Sequence, residues 1–297
     1  MRVLIGGSTG FLGTRLRERL ESLGHEVTGL VRREPGAGEV RWDPYGAALG
    51  PEVVDAHDVV VNLAGSPLIG NVHSQQWARA VMTSRVTTTQ VLARAIAEGD
   101  RKPAFLAGNG IACYGDHGAT PLPESAPSEG EAFLARVTRA WEAAAAPAAE
   151  AGARVCVLRT SPVMDRRSQP LGMLRLLFKS GLGGPLGSGE QHMPMISARD
   201  WVDAVVHLAG GDVSGPVNLC CAQTPTNADF TRALASALHR PALLKVPGPV
   251  LARAAGPMAP ELLGSVNAVP QVLLDSGYRF HDADVTAVVA EALHPTR

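Results

Sequence analysis

Apolar and polar positions along this chain follow two spacings in alternation. Val3-Leu4-Ile5 is a short continuous apolar run of the kind a buried strand shows, and from Thr14 to Leu23 the residues Leu16, Leu20 and Leu23 recur on one helical face closed by Gly24-His25. Val27-Thr28-Gly29-Leu30-Val31 reads as a second strand and Glu39-Val40-Arg41-Trp42 as a short third. His57 to Leu63 is too continuously apolar for a half-exposed strand and predicts a buried fourth. Gln75 to Ala97 carries a long helical pattern, and Ala104-Phe105-Leu106-Ala107 gives strand five. A helix over about Glu131 to Ala146, stopped or kinked by Pro147, precedes strand six at Arg154 to Leu158. Strands alternating with helices in this way predict an α/β fold with a doubly wound parallel sheet.

From Pro162 onward the rhythm breaks. Gly181 to Gly189 holds five glycines and a proline in nine residues, which excludes regular structure and reads as a substrate-side loop. Trp201 to Leu208 resumes a helix, Pro216 to Cys220 a strand, Ala228 to Leu238 a helix, and Asp284 to Leu293 a terminal helix. The alanine-rich stretch from Glu142 to Ala153 is helix rather than linker, since alanine is the best helix former. The expected organisation is a nucleotide-binding domain over residues 1–167, completed by about 197–222. A smaller, mainly helical substrate lobe then takes 168–196 and 223–297.

Between the first strand and the first helix stands Gly7-Ser8-Thr9-Gly10-Phe11-Leu12-Gly13. Glycines three apart at a strand end let the backbone turn sharply and approach a pyrophosphate closely. They also open a helix whose free N–H groups and positive dipole end face that anion. Arg32 and Arg33 follow strand two, where an NAD site of this Rossmann type would place an acidic residue on the ribose 2′-hydroxyl. A guanidinium there holds a 2′-phosphate instead, so the expected cofactor is NADP(H). Asn62-Leu63-Ala64-Gly65 ends strand four, where small residues let backbone pass beside the adenine ribose.

Composition narrows the partners. With 45% hydrophobic residues, 19% charged residues and a net charge of −1, the whole chain shows no basic stripe to neutralise a nucleic-acid backbone or to seek an anionic membrane. Aromatic residues are 4% of the chain, too few for base-stacking platforms. The four cysteines, Cys113, Cys156, Cys220 and Cys221, fit neither a disulfide framework nor a metal-ligand spacing, and the nine histidines are scattered, so no metal site is expected. Adjacent Cys220 and Cys221 are expected to point to opposite sides of a strand. No apolar run approaches the ~20 residues of a membrane span, and the first residues lead directly into strand one. The expected compartment is the cytoplasm and the expected partner a small-molecule substrate. No motif speaks to oligomeric state.

The glycine fingerprint Gly7-x-x-Gly10-x-x-Gly13 resembles that of the short-chain dehydrogenase/reductase superfamily, in its extended, nucleotide-sugar-epimerase-like form. Further segments resemble an atypical subfamily known as epimerase family proteins. They are Arg41-Trp42-Asp43-Pro44, Asn62-Leu63-Ala64-Gly65, Ser84-Arg85, Tyr114-Gly115-Asp116, Trp141-Glu142 and Pro216-Val217-Asn218-Leu219. Phe230-Thr231, Val246-Pro247 and the run from Val269-Pro270 to Tyr278-x-Phe280 extend the likeness to the terminal small domain. The resemblance implies that Arg32 is the subfamily's arginine, that Ser84 and Arg85 lie near the cofactor, and that the backbone of Thr160-Ser161-Pro162-Val163, including the cofactor-site candidate Ser161, lies against the nicotinamide.

Superfamily enzymes pair Tyr and Lys four residues apart on the helix after strand five, because the lysine lowers the phenol pKa for acid–base work. Counting back from Glu142 puts Leu134 and Thr138 at those positions, and Gly110 where a catalytic Ser or Thr is usual. Neither Leu134 nor Thr138 can do that chemistry. The candidates that remain are Tyr114, as a donor that orients or protonates substrate, Asn109, as a hydrogen-bond partner for its oxygen, and His192, closing over it as the glycine-rich loop orders. Two functions follow: an NADP(H)-dependent oxidoreductase or epimerase-like enzyme without the usual dyad, or a catalytically silent NADP(H)-binding regulatory or redox-sensing protein.

Overall fold

The computed structural model describes residues 1–46, 48–68 and 70–295. Seven strands form one sheet: β1 (Arg2–Gly6), β2 (Glu26–Val31), β3 (Glu39–Arg41), β4 (Val59–Asn62), β5 (Ala104–Gly110), β6 (Val155–Thr160) and β7 (Gly215–Leu219), in the spatial order β7-β6-β5-β4-β1-β2-β3. The pairings β1–β2, β1–β4, β2–β3 and β4–β5 are all parallel. Strand order reverses between β1 and β4, the switch point at which open α/β sheets bind ligands. Register sharpens this placement, because Gly6 lies beside both Leu30 and Asn62, and Asn62 beside Ala107. The carboxyl ends of β1 and β4 therefore come level, and β5 runs on past them to Gly110.

Packing divides the chain into two units, residues 1–109, 137–158 and 202–216 in the first and 110–136, 159–201 and 217–297 in the second. The stretches 110–136, 159–167, 197–201 and 217–222 thus pack with the second unit, whereas the sequence pattern groups them with the first. The first unit is built on Leu4, Val60, Leu92, Ile96 and Phe105, all fully buried, with Trp42 closing the core near the end of β1. Its long helix is Gln75–Glu98, capped by Ser74. The single helix expected over Glu131 to Ala146 is instead two, Phe133–Ala143 and Ala146–Glu150. Pro147 sits in the first turn of the second, where its missing N–H costs nothing, so it begins a helix rather than ending one.

The second unit has two cores, one around Leu171, Met195, Phe230 and Val288 and a smaller one around Tyr114, Leu122, Cys220 and Ala268. Cys220 and Cys221 lie past the end of β7, both fully buried, and enter different cores. Helix Asn227–Ala237 starts at a capping box in which Thr226 and Asp229 satisfy each other's backbone. Asp200, fully buried, accepts from Tyr278 Oη at 2.8 Å and from the backbone N–H groups of His281 and Asp282 at 2.9 and 2.8 Å, pinning the terminal segment.

Candidate functional site

The glycine turn of the first unit is shaped by three different demands. Gly7 has φ +79°, and a Cβ there would lie 2.8 Å from the carbonyl carbon of Leu63. A Cβ on Gly13 would lie 2.1 Å from the Gly7 oxygen, so the helix Phe11–Ser22 packs directly on the turn. Gly10 is different: it is exposed, and its missing Cβ would meet only the Gly7 oxygen at 3.2 Å. No side chain among the described residues caps this helix. Its first N–H groups, at Phe11, Leu12 and Gly13, are the donors that a helix start leaves without intrahelical partners. The buried Ser8 Oγ is also without a partner among the described residues. Orphan donors and a bare glycine surface at a helix start fit an anionic pyrophosphate.

The loop after β4 is held from below. Asn62, fully buried, accepts from Ala64 N at 3.1 Å through Oδ1 and donates to Thr89 Oγ1 at 2.9 Å through Nδ2. Thr88 Oγ1 donates to the Ala64 oxygen at 3.1 Å, and Ser84 Oγ accepts from Ser66 N at 3.0 Å. Arg85 donates to the Ser66 oxygen at 3.2 Å, with its guanidinium 5.2 Å above the Trp141 ring. Burial brings the Arg85 pKa down to about 10. Ser84 and Arg85 therefore act by setting the path of Leu63-Ala64-Gly65-Ser66. Thr88, Thr89 and the Trp141 indole, which donates to Thr89 Oγ1 at 2.7 Å, complete that support. A long helix gives no local signal for which of its hydroxyls turn toward a neighbouring loop.

The two arginines after β2 have different fates. Arg33 makes a two-armed ion pair with Glu39, Nη2 to Oε1 at 2.6 Å and Nη1 to Oε2 at 2.8 Å, and this hydrogen-bonded guanidinium holds the Glu39 carboxyl below its ordinary range. Arg32 is exposed and has no partner among the described residues. The sequence offers both arginines, with Arg32 preferred by resemblance; the structure commits Arg33 to Glu39 and leaves Arg32 available to an anion.

The proposed catalytic residues are not equivalent either. Asn109, in the first unit, is buried at the end of β5 and donates to the Thr138 oxygen at 3.1 Å. In the second unit Tyr114 is fully buried: its hydroxyl donates to Asn218 Oδ1 at 2.8 Å and accepts from Arg159 Nη1 at 2.9 Å. Burial pushes the phenol up to about 12. Glu124 completes this buried group by accepting from Asn218 N at 2.9 Å. Such a phenol is a packing and hydrogen-bonding element, and the structure gives it no acid–base setting. Ser161 is likewise buried, with N–H and hydroxyl both donating to the Leu219 oxygen.

His192 is half-buried and stands opposite Thr226 in an antiparallel bridge. Its N–H donates to Ser265 Oγ at 2.9 Å, and Nδ1 lies 3.4 Å from the same oxygen. The glycine-rich loop before it is braced rather than loose. Leu186 N donates to Asn227 Oδ1 at 2.8 Å, Gly187 N to the Val246 oxygen at 2.9 Å, and Gln191 Nε2 to the Leu186 oxygen at 3.0 Å. The lid expected from glycine content alone is thus tied down by the distant Asn227 side chain, the Val246 backbone and its own Gln191.

The profile described as the NAD dependent epimerase/dehydratase family matches residues 3–220. The chain belongs to this family. Residues 246–292 of this family member match a domain of unknown function, DUF1731. The chain is 36% identical over 299 residues to epimerase family protein SDR39U1 of Bos taurus, covering 99% of this chain and 100% of the relative. Epimerase family protein MT2273 of Mycobacterium tuberculosis is 36% identical over 282 residues, 94% of this chain and 93% of its own. Among solved structures, human epimerase family protein SDR39U1 (isoform 2) with NADPH superimposes with a TM-score of 0.88 at 32% identity, covering 100% of both chains. A nucleoside-diphosphate sugar epimerase from Corynebacterium glutamicum gives 0.80 at 33% identity, over 99% of this chain and 58% of that one.

Proposed function

We propose that this protein binds NADPH in its first unit and transfers hydride between the nicotinamide and a small polar substrate without a Tyr–Lys dyad. The observation that carries the cofactor choice is Arg32, an unpaired guanidinium at the end of β2 where an NAD site would present a carboxylate. The human relative solved with NADPH supports the same choice. The Gly7–Gly13 turn, including Ser8, Thr9, Phe11 and Leu12, would hold the pyrophosphate, Arg32 the 2′-phosphate, and Leu63, Ala64 and Gly65 the adenosine side, with Ser84 and Arg85 setting that loop's path. NADPH supplies hydride at its nicotinamide ring. Leu134 and Thr138 stand at the dyad positions and transfer no proton. Of the three residues named from sequence, Tyr114 is locked in a buried network. His192 keeps a ring with a long contact to Ser265, and it takes the proton-transfer role in this reading.

A second reading, a protein that binds NADPH and reports its level without turnover, draws support from the locked phenol of Tyr114 and from the apolar Leu134. One experiment separates the two. NADPH absorbance is followed across a panel of small carbonyl compounds and nucleotide sugars, beside calorimetric titration of NADPH itself. Turnover that falls in His192→Ala supports the enzyme. Tight binding with no turnover across the panel supports the sensor, and no NADPH binding at all refutes both.

A further inference from the structure

Residues 166–189 and 230–260 contain no aspartate or glutamate, in a chain whose net charge is −1. The first stretch comprises helix Gln169–Lys179 and the glycine-rich loop, and the second includes helix Gly248–Ala255. Both belong to the second unit, and they run side by side. Leu186 and Val246 form a parallel bridge, and Gly184 lies so close to Leu244 that a Cβ there would sit 1.9 Å from the Leu244 oxygen.

These two stretches carry the most exposed large aliphatic side chains among the described residues. Met173 and Leu176 are 63% and 72% exposed on one face of helix Gln169–Lys179, while Leu171 and Phe178 fill its buried face. Leu182, Leu243 and Val250 continue the exposed set at 55%, 83% and 59%. The same two stretches carry Lys179, Arg240, Lys245 and Arg253, all exposed and without an ionic partner among the described residues. Arg167 and Arg232, by contrast, are answered by Asp165 and Asp229.

Apolar side chains alone would fit a second copy of the chain. Cations of one sign do not, because a two-fold contact through this face sets cation against cation. Leucines and methionine flanked by lysine and arginine match instead the boundary of a bilayer, where the apolar groups enter the acyl region and the long cationic side chains reach anionic headgroups. No helix among the described residues is long and apolar enough to cross a membrane, so this contact is peripheral. We propose that the face formed by residues 173–182 and 243–253 docks the protein on a bilayer carrying anionic lipids. The overall charge balance argued against a membrane only because acidic residues elsewhere cancel this local segregation.

The test is flotation of the full chain with vesicles of phosphatidylcholine, with and without phosphatidylglycerol. The protein is expected to float with the anionic vesicles, to stay behind with the neutral ones, and to be released by high salt. Lys179→Ala with Lys245→Ala lowers the affinity about thirtyfold, on the basis of ~1 kcal/mol per basic residue near such a surface. Leu176→Asp with Leu243→Asp abolishes flotation, and since both side chains are exposed the thermal unfolding profile stays unchanged. Failure to float with anionic vesicles overturns the proposal. So does equal flotation of the aspartate variant, a wild-type dimer that this variant dissociates, or retention on an acidic polypeptide without any vesicle binding.

Discussion

Glu39 takes both arms of Arg33, and this single pairing is what separates two adjacent arginines into a structural one and a free one. The pair is exposed on the arginine side, so its own stabilising effect is small. Its importance lies in removing Arg33 from competition for an anion. Arg33→Ala is accordingly expected to leave NADPH affinity within about twofold of the wild type, because the Arg33 guanidinium is engaged by Glu39. Calorimetric titration checks it, and a large loss would show that the cofactor phosphate draws Arg33 away from Glu39.

Gly10 and Gly13 are expected to fail in different ways when substituted. A Cβ at Gly13 collides with the Gly7 oxygen, so Gly13→Ala should lower the unfolding temperature. Gly10 is open on its outer side, and Gly10→Val should preserve the folded state while abolishing NADPH binding by filling the space a pyrophosphate needs. Thermal unfolding and titration on the same samples distinguish the two outcomes. Undiminished NADPH binding by a folded Gly10→Val protein would remove the turn from the site.

Tyr114→Phe is expected to cost stability of the order of 1–3 kcal/mol, since Asn218 Oδ1 and the Arg159 guanidinium lose a buried partner. NADPH affinity should not change. Urea unfolding measures the first and titration the second. Unaltered stability together with lost turnover would restore the phenol to the chemistry.

Glu261 gives a pH dependence with a definite sign. The carboxyl is half-buried, and burial raises its pKa from 4.5 to about 7. The folded state therefore holds a proton that the unfolded chain releases between about pH 4.5 and 7. Stability falls as pH rises through that window and is lower by a constant amount above it. Glu261→Gln should remove this slope and raise stability near pH 8 by about 2 kcal/mol, allowing for partial solvent screening. Urea unfolding at the two ends of the window checks it, and parallel profiles for wild type and variant would show that Glu261 ionises freely.

The sheet and its glycine turn were readable from the sequence because each rests on local pattern: an apolar run, a glycine spacing, a helix that follows at once. The pairing of Arg33 with Glu39 was not readable, since it depends on β3 lying beside β2. Ser84 and Arg85 are expected from resemblance alone to lie near the cofactor, and their contacts with Ser66 and Trp141 appear only once helix and loop are packed. The setting of Tyr114 was not readable for a similar reason. Its partners Asn218 and Arg159 lie 104 and 45 residues away, so nothing local foretold the burial of its hydroxyl. The glycine-rich loop shows the limit of composition: five glycines within nine residues suggest a lid, while Asn227, Gln191 and Val246 hold it in place.

Arg32 is expected to select the 2′-phosphate, and calorimetric titration of wild type and Arg32→Ala with NADPH and with NADH checks it. A charge-assisted hydrogen bond contributes ~1.5–3 kcal/mol, so the variant should bind NADPH roughly 10- to 100-fold more weakly and NADH almost unchanged. Equal losses for both cofactors, or no loss for NADPH, would contradict the claim.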